Sequence, residues 1–146
     1  MRLLIKIMSV GFLCLFFASE ASAAEELTRE QILDKRMEYY IKYSTDTLPW
    51  YYLAAVDQYE RNIQEVRKDL PERDGVVAVQ FTDDFWVGPL NPLGDDTNLT
   101  TISYFEGQGR DGDNDGIADR QNDEDVMFTL VQYLSPQVHS EKDFEK

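Results

Sequence analysis

Residues 109 to 126 read GRDGDNDGIADRQNDEDV and place seven carboxylates in eighteen positions, just before an apolar run. Asp111, Asp113, Asp115, Gly116, Ile117 and Asp119 follow the pattern D-x-D-x-D-G-x-x-D. That spacing offers side-chain oxygens from loop positions 1, 3, 5 and 9, a glycine at 6 for a sharp turn and a backbone carbonyl at 7. It is an arrangement suited to calcium. Position 12, which calls for a bidentate glutamate, is Asn122, with Asp123 behind it, so the last ligand is weaker or displaced by one. Carboxylates this close repel one another, and a cation would relieve the repulsion. The competing reading is a solvated acidic turn that does no more than cap the helix after it.

Glu60 is the second position that could do chemistry. In WYYLAAVDQYERNIQEVRKDL, the residues Tyr52, Leu53, Val56, Tyr59, Ile63 and Val66 make one apolar arc at about 100° per residue, and Glu60 falls inside it. A carboxylate there must be neutralised, be paired or line a cleft, because burying it unpaired costs several kcal/mol. Beside Tyr59 and Tyr52 in a cleft its pKa would rise, as a general acid for glycoside cleavage requires. The same pattern also describes a rim residue that reaches water. Asp57, Asp83 and Asp84 are the carboxylates whose relation to Glu60 depends on the fold. His139 is the single histidine and Cys14 the single cysteine, so no zinc site with nitrogen and sulfur ligands is expected, and a serine or cysteine nucleophile lacks a base. His139 reads as a surface residue. Trp50, Trp86 and the eight tyrosines are either core or sugar-stacking platforms.

The elements that must position these residues begin after a leader. Arg2 and Lys6 precede an apolar stretch from Ile7 to Ala18, and Ala21-Ser22-Ala23 fits a small-x-small cleavage site, so residues 1–23 read as a signal peptide and 24–146 as one domain. The stretch falls short of the roughly 20 apolar residues of a membrane span, so none is expected after cleavage. The net charge is −14, and loss of Arg2, Lys6 and Glu20 makes it slightly more negative. Such a chain is poorly suited to nucleic acid, whose phosphates want the opposite sign; cations or neutral polymers are better partners. With Cys14 gone, disulfides are excluded.

Thr28 and Gln31 form a capping box, flanked by Leu27 and Ile32, so a helix should start at Thr28 and end near Ser44-Thr45-Asp46, with Leu33, Met37, Tyr40, Ile41 and Ser44 on its packed face. Pro49 suits the first turn of a second helix, which Pro71 ends. Residues 74–109 hold five of the eight glycines and two of the five prolines; within them VVAVQF and TISYF read as short buried strands. The last long helix should begin at Asn122 or Asp123, bury Val126, Met127, Leu130, Val131, Tyr133 and Leu134, and stop at Ser135-Pro136. Ser140 and Asp143 look like the opening of one more helix, less than two turns before Lys146. The fold class is mainly α, with a loop-rich middle and at most short strands.

Three segments in order resemble known enzymes. LPWYYLAAVDQYERNI, residues 48–63, resembles the I-P-x-x-L-L-A-A-I-x-x-x-E-S helix of lytic transglycosylases with a lysozyme-like fold. GVVAVQFTDDFW, residues 75–86, resembles their G-x-x-Q-F-x-P-x-x-W segment, and residues 109–134 resemble the acidic loop and Y-L helix of the membrane-bound transglycosylase B branch. The chain is also similar to the amino-terminal domain of secreted Bacillus-type cell-wall endopeptidases, where such a module precedes a lysostaphin-type zinc peptidase domain whose H-x-x-x-D and H-x-H patterns are absent here. The resemblance implies a lysozyme-like domain, cut short at its C-terminal end, that is secreted and acts on peptidoglycan glycan strands. It implies Glu60 as the catalytic acid/base, with Gln80, Phe81 and Tyr133 contacting substrate. Arg61 stands where the family has serine, and a cation paired with Glu60 would hold it ionised, the wrong state for an acid. Asp83 replaces the family's proline. A non-catalytic peptidoglycan-binding remnant and a calcium-stabilised structural domain remain the rival expectations.

Overall fold

The computed structural model describes residues 27–69, 73 and 75–138. The expected signal peptide, Pro71, His139 and the Ser140 to Asp143 segment lie outside them. The fold is mainly α, and among the described residues no strand forms. Five helices follow in order: α1 (Arg29–Tyr43), α2 (Trp50–Val66), α3 (Asp83–Val87), α4 (Leu99–Tyr104) and α5 (Asp123–Leu134).

The expected capping box forms at α1. The Thr28 N–H donates to Gln31 Oε1 at 2.7 Å and the Gln31 N–H donates to Thr28 Oγ1 at 3.3 Å. The packed face of α1 is rotated from the expected one. Leu33, Met37 and Ile41 are 51, 40 and 58 % exposed, while Tyr39, Tyr40 and Tyr43 are buried. Tyrosines bury more area than aliphatic residues provided their hydroxyls find partners. Here they do: Tyr40 donates to Asp57 at 2.5 Å and Tyr43 to the Gly112 carbonyl at 3.1 Å. Through this face α1 packs on both α2 and α5.

The second helix ends at Val66, before Pro71 is reached, and its expected arc is only partly buried. Leu53 is fully enclosed, but Tyr59 and Val66 face outward. The fifth helix starts as expected, with Asn122 Oδ1 accepting from the Glu124 N–H at 2.9 Å, and buries Val126, Met127, Leu130 and Val131. Tyr133 is exposed and Leu134 half-buried.

Neither expected strand is one. TISYF lies mostly within α4, because Asn98 Oδ1 accepts from the Thr100 and Thr101 N–H groups and starts a helical turn that buries Ile102. VVAVQF is extended, but its backbone pairs with side chains instead of a neighbouring strand. Asp123 accepts from the Val76 and Val77 N–H groups at 2.9 and 3.3 Å, and Asp57 accepts from the Ala78 N–H. Arg61, Arg73 and Gln64 donate to the carbonyls of Val76, Val77 and Ala78 at 3.0, 2.7 and 2.5 Å. Buried backbone groups must be satisfied by something, and here polar side chains from α2, α5 and the preceding loop do it.

Trp86 organises the rest of the middle. Its indole N–H donates to the Ala118 carbonyl at 3.2 Å, and its own carbonyl accepts from the Gly109 N–H at 2.9 Å. The Ala118 N–H donates in turn to the Thr97 carbonyl at 2.9 Å, so the glycine-rich middle and the acidic loop are joined around one buried ring.

Candidate functional site: a cleft at Glu60 and an acidic loop

A cleft of about 670 Å³ opens beside the C-terminal half of α2, within the usual range of about 300 to 1,000 Å³ for ligand pockets. Glu60 and Gln64 of α2 form one wall, and Gln80 and Phe81 at the end of the extended segment form another. Asp83 and Asp84 at the start of α3, with Arg73 and Arg120, complete the charged part of the lining. Glu60 therefore meets the adjacent pair Gln80 and Phe81 in one place although a long stretch of chain separates it from them. Tyr133 stands one ring further back. Phe81 stacks on Phe85 with ring centroids 4.7 Å apart, and Tyr133 meets Phe85 edge-on at 5.0 Å.

Glu60 is half-buried, and its carboxyl is pushed above the ordinary glutamate range, first by burial and then by the charge of Asp57. Arg61, the cation that could have held Glu60 ionised, does not pair with it. Arg61 donates to Asp57 at 3.2 Å and to the Val76 carbonyl at 3.0 Å. The two arginines of the lining are also engaged. Arg120 bonds Asp83 and donates to the Gly94 carbonyl at 3.1 Å, while Arg73 bonds Asp123 and donates to the carbonyls of Val77 and Gln121.

Asp57, one turn before Glu60 on α2, has 0 % exposure. It takes hydrogen bonds from Tyr40, Arg61 and the Ala78 N–H, and Arg36 lies 3.0 Å from it. Burial and the bond to Asp57 push the Tyr40 hydroxyl up to about 12. Removing a partner from such a buried charge costs about 3 to 5 kcal/mol. Asp57 thus fixes α1, α2 and the extended segment to one another at the edge of the cleft. The sequence pattern carries a signal for it that points past Glu60. Asp57 follows Leu53 by four residues, on the apolar side of α2, and precedes a basic residue by the same spacing.

In the acidic loop, carboxylate oxygens of Asp111, Asp113 and Asp115 lie within 4.8 Å of one another. Gly116 has φ +96°, the sharp-turn conformation expected at that position. The loop is also shaped from within. Asp111 accepts from the Asn114 and Gly116 N–H groups at 2.6 and 2.9 Å, and Asp115 accepts from the Ile117 N–H at 2.9 Å. Asn122 donates to Asp113 at 2.7 Å while capping α5. Asp119 is not among the three converging carboxylates; one of its oxygens accepts from the Gln121 N–H at 2.8 Å. Asp123 faces the extended segment, where Arg73 and two backbone N–H groups occupy both its oxygens. Its place as first residue of α5, rather than as a displaced last ligand, explains this.

Below the loop, Asp125 also has 0 % exposure and accepts from the Gly112 and Asp119 N–H groups at 2.6 and 2.7 Å. Burial raises its carboxyl to about 6. Nothing in the sequence singles it out, since a third acidic residue in a helix's first turn looks like dipole complementarity alone.

No protein-family profile matches the chain, and no solved structure matches it. Among curated proteins, it is 47 % identical over 130 residues to the L-Ala--D-Glu endopeptidase of Bacillus subtilis (strain 168). The aligned stretch covers 88 % of this chain and 40 % of that protein. The chain is thus related to that endopeptidase over well under half of the enzyme's length.

Proposed function

We propose that this chain is an exported peptidoglycan-directed module of the lysozyme-like, lytic transglycosylase type, with Glu60 as its acid. The observation that carries this reading is the meeting of Glu60, Gln80 and Phe81 on one cleft, with the Glu60 carboxyl raised and unpaired with Arg61. A protonated Glu60 would give its proton to the glycosidic oxygen as the bond to the anomeric carbon breaks. The carboxylate left behind would take the proton of the hydroxyl that attacks that carbon, restoring the acid. Gln80 would hydrogen-bond the sugar and Phe81 would offer it an apolar face, with Tyr133 supporting through Phe85. The kinship with a cell-wall endopeptidase supports peptidoglycan as the substrate class and the cell wall or exterior as the location. No described helix is long and apolar enough to cross a membrane.

The test is release of soluble muropeptides from purified cell walls. Wild-type protein should release them and Glu60→Gln should lower the rate at least about 100-fold, the usual scale of general acid catalysis. Equal release by both proteins would sink the role of Glu60. Binding to walls without release would favour the second reading, a non-catalytic peptidoglycan-binding module. That reading draws on the relative's length, most of which lies beyond the aligned stretch. For the acidic loop we propose calcium, held by Asp111, Asp113 and Asp115 with the Ile117 carbonyl; Asp119, which does not converge with them, and Asn122, whose oxygen caps α5, would have to turn inward to add ligands. Asp123 is left out, being committed to Arg73 and the extended segment.

A further inference from the structure

We propose that Asp57 is a positioning residue for Glu60: by drawing Arg61 onto itself and the Val76 carbonyl, it keeps that cation off the Glu60 carboxyl and leaves the carboxyl to the cleft. The proposal rests on reading Glu60 as the acid. A cation directly after a general acid is a liability, since an ion pair would hold the acid deprotonated. The geometry shows how the liability is removed. Asp57 and Arg61 are one helical turn apart, with Arg61 Nη2 at 3.2 Å from Asp57 Oδ2 and 3.0 Å from the Val76 carbonyl. Asp57 itself is held from the other side by Tyr40 and Arg36 of α1. The arginine therefore faces the extended segment.

The other charges around Glu60 are Arg73, Asp83 and Asp84, and Arg120. Arg73 and Arg120 are bonded to Asp123 and Asp83, so neither arginine is a free substitute for Arg61 as a counter-ion. Asp57 acts a second time through its own charge, which opposes ionisation of Glu60. Both effects run the same way, so their loss should too.

The experiment is a carboxyl-carbon NMR titration of Glu60 in the whole chain, read beside muropeptide release. Asp57→Asn should move the Glu60 midpoint down, into or below the ordinary glutamate range, and D57N/R61A should bring it back up. Arg61→Ala alone should leave it near its wild-type place, because the cation is already held off Glu60. A midpoint unchanged in D57N, or no recovery in D57N/R61A, overturns the proposal, because a merely structural Asp57 would not be rescued by deleting its partner. Should D57N fail to fold, Arg61→Ala decides. It leaves Asp57 bonded to Tyr40, Arg36 and the Ala78 N–H, so the midpoint should stay near its wild-type place, and a rise of about one pH unit or more, the mark of a broken Glu60–Arg61 ion pair, overturns the idea. The titration does not depend on turnover. Shifts as expected without glycan release would sink the acid reading while supporting the positioning; release without the shifts would do the reverse.

Discussion

Asp125 and Asp57 are both buried carboxylates, and they are buried for different reasons. Asp57 has two arginines and a tyrosine around it, whereas the donors to Asp125 are two backbone N–H groups, and Asp111 and Asp113 add repulsion. With a folded-state value of about 6 against about 3.9 in an unfolded chain, Asp125 binds its proton more tightly when folded. Its contribution to stability is therefore full below about pH 4 and is lost as pH rises through about 6, at a cost of up to about 3 kcal/mol. Urea unfolding of wild type and Asp125→Asn from pH 4 to 7 should show this as a pH-dependent gap between the two. A gap that is constant across the range would refute the assignment. Asp125 is poorly legible in sequence, because its burial depends on what other segments bring to it, whereas Asp57 is marked by its place on the apolar side of α2, four residues before Arg61. Glu60 is legible, since its own helix surrounds it with apolar positions.

At the scale of elements, local signals hold and distant ones do not. The Thr28 box and the Asn122 cap start α1 and α5 where the sequence places them, because each involves residues no more than three apart. The packed face of α1 is not the one hydropathy selects, because hydropathy alone ranks Leu33, Met37 and Ile41 above tyrosine, and only the fold supplies Asp57 and Gly112 as hydroxyl partners. The two strand expectations fail for a related reason: β-branched composition marks an extended or buried segment, but it does not say what the backbone will pair with. Asp123 is a direct test of that pairing. Asp123→Ala removes the acceptor for Val76 and Val77 and leaves Arg73 a buried charge without its carboxylate, so it should destabilise by about 2 to 4 kcal/mol. Hydrogen exchange should show the Val76 and Val77 amides losing protection before those in the middle of α5; loss of protection everywhere at once would argue against a local clamp.

For the whole molecule the dominant fact is a net charge of −14, with a concentration of it in one loop. If calcium occupies that loop, binding only the folded state stabilises it by about 2.7 kcal/mol at a hundredfold excess over Kd. A rise in Tm of several degrees on adding calcium is expected, absent in Asp113→Asn and not reproduced by an equal ionic strength of sodium. A salt effect identical for both cations would reduce the loop to a self-capped acidic turn. The overall class, mainly helical with a loop-rich middle, is readable from sequence, whereas the cleft emerges only when α2, the extended segment and α3 come together.

The side-chain clamp on residues 76 to 78 also bears on how this chain keeps to itself. VVAVQF is six residues long, free of charge and proline, and rich in β-branched side chains, the composition from which intermolecular sheets are seeded. A bare extended segment is a template for a second chain. Here Asp57, Asp123, Arg61, Arg73 and Gln64 already occupy the backbone groups of Val76, Val77 and Ala78, the first half of the stretch. The polar residues that shape the cleft thereby also guard against aggregation, and variants that release the segment should lose solubility along with stability.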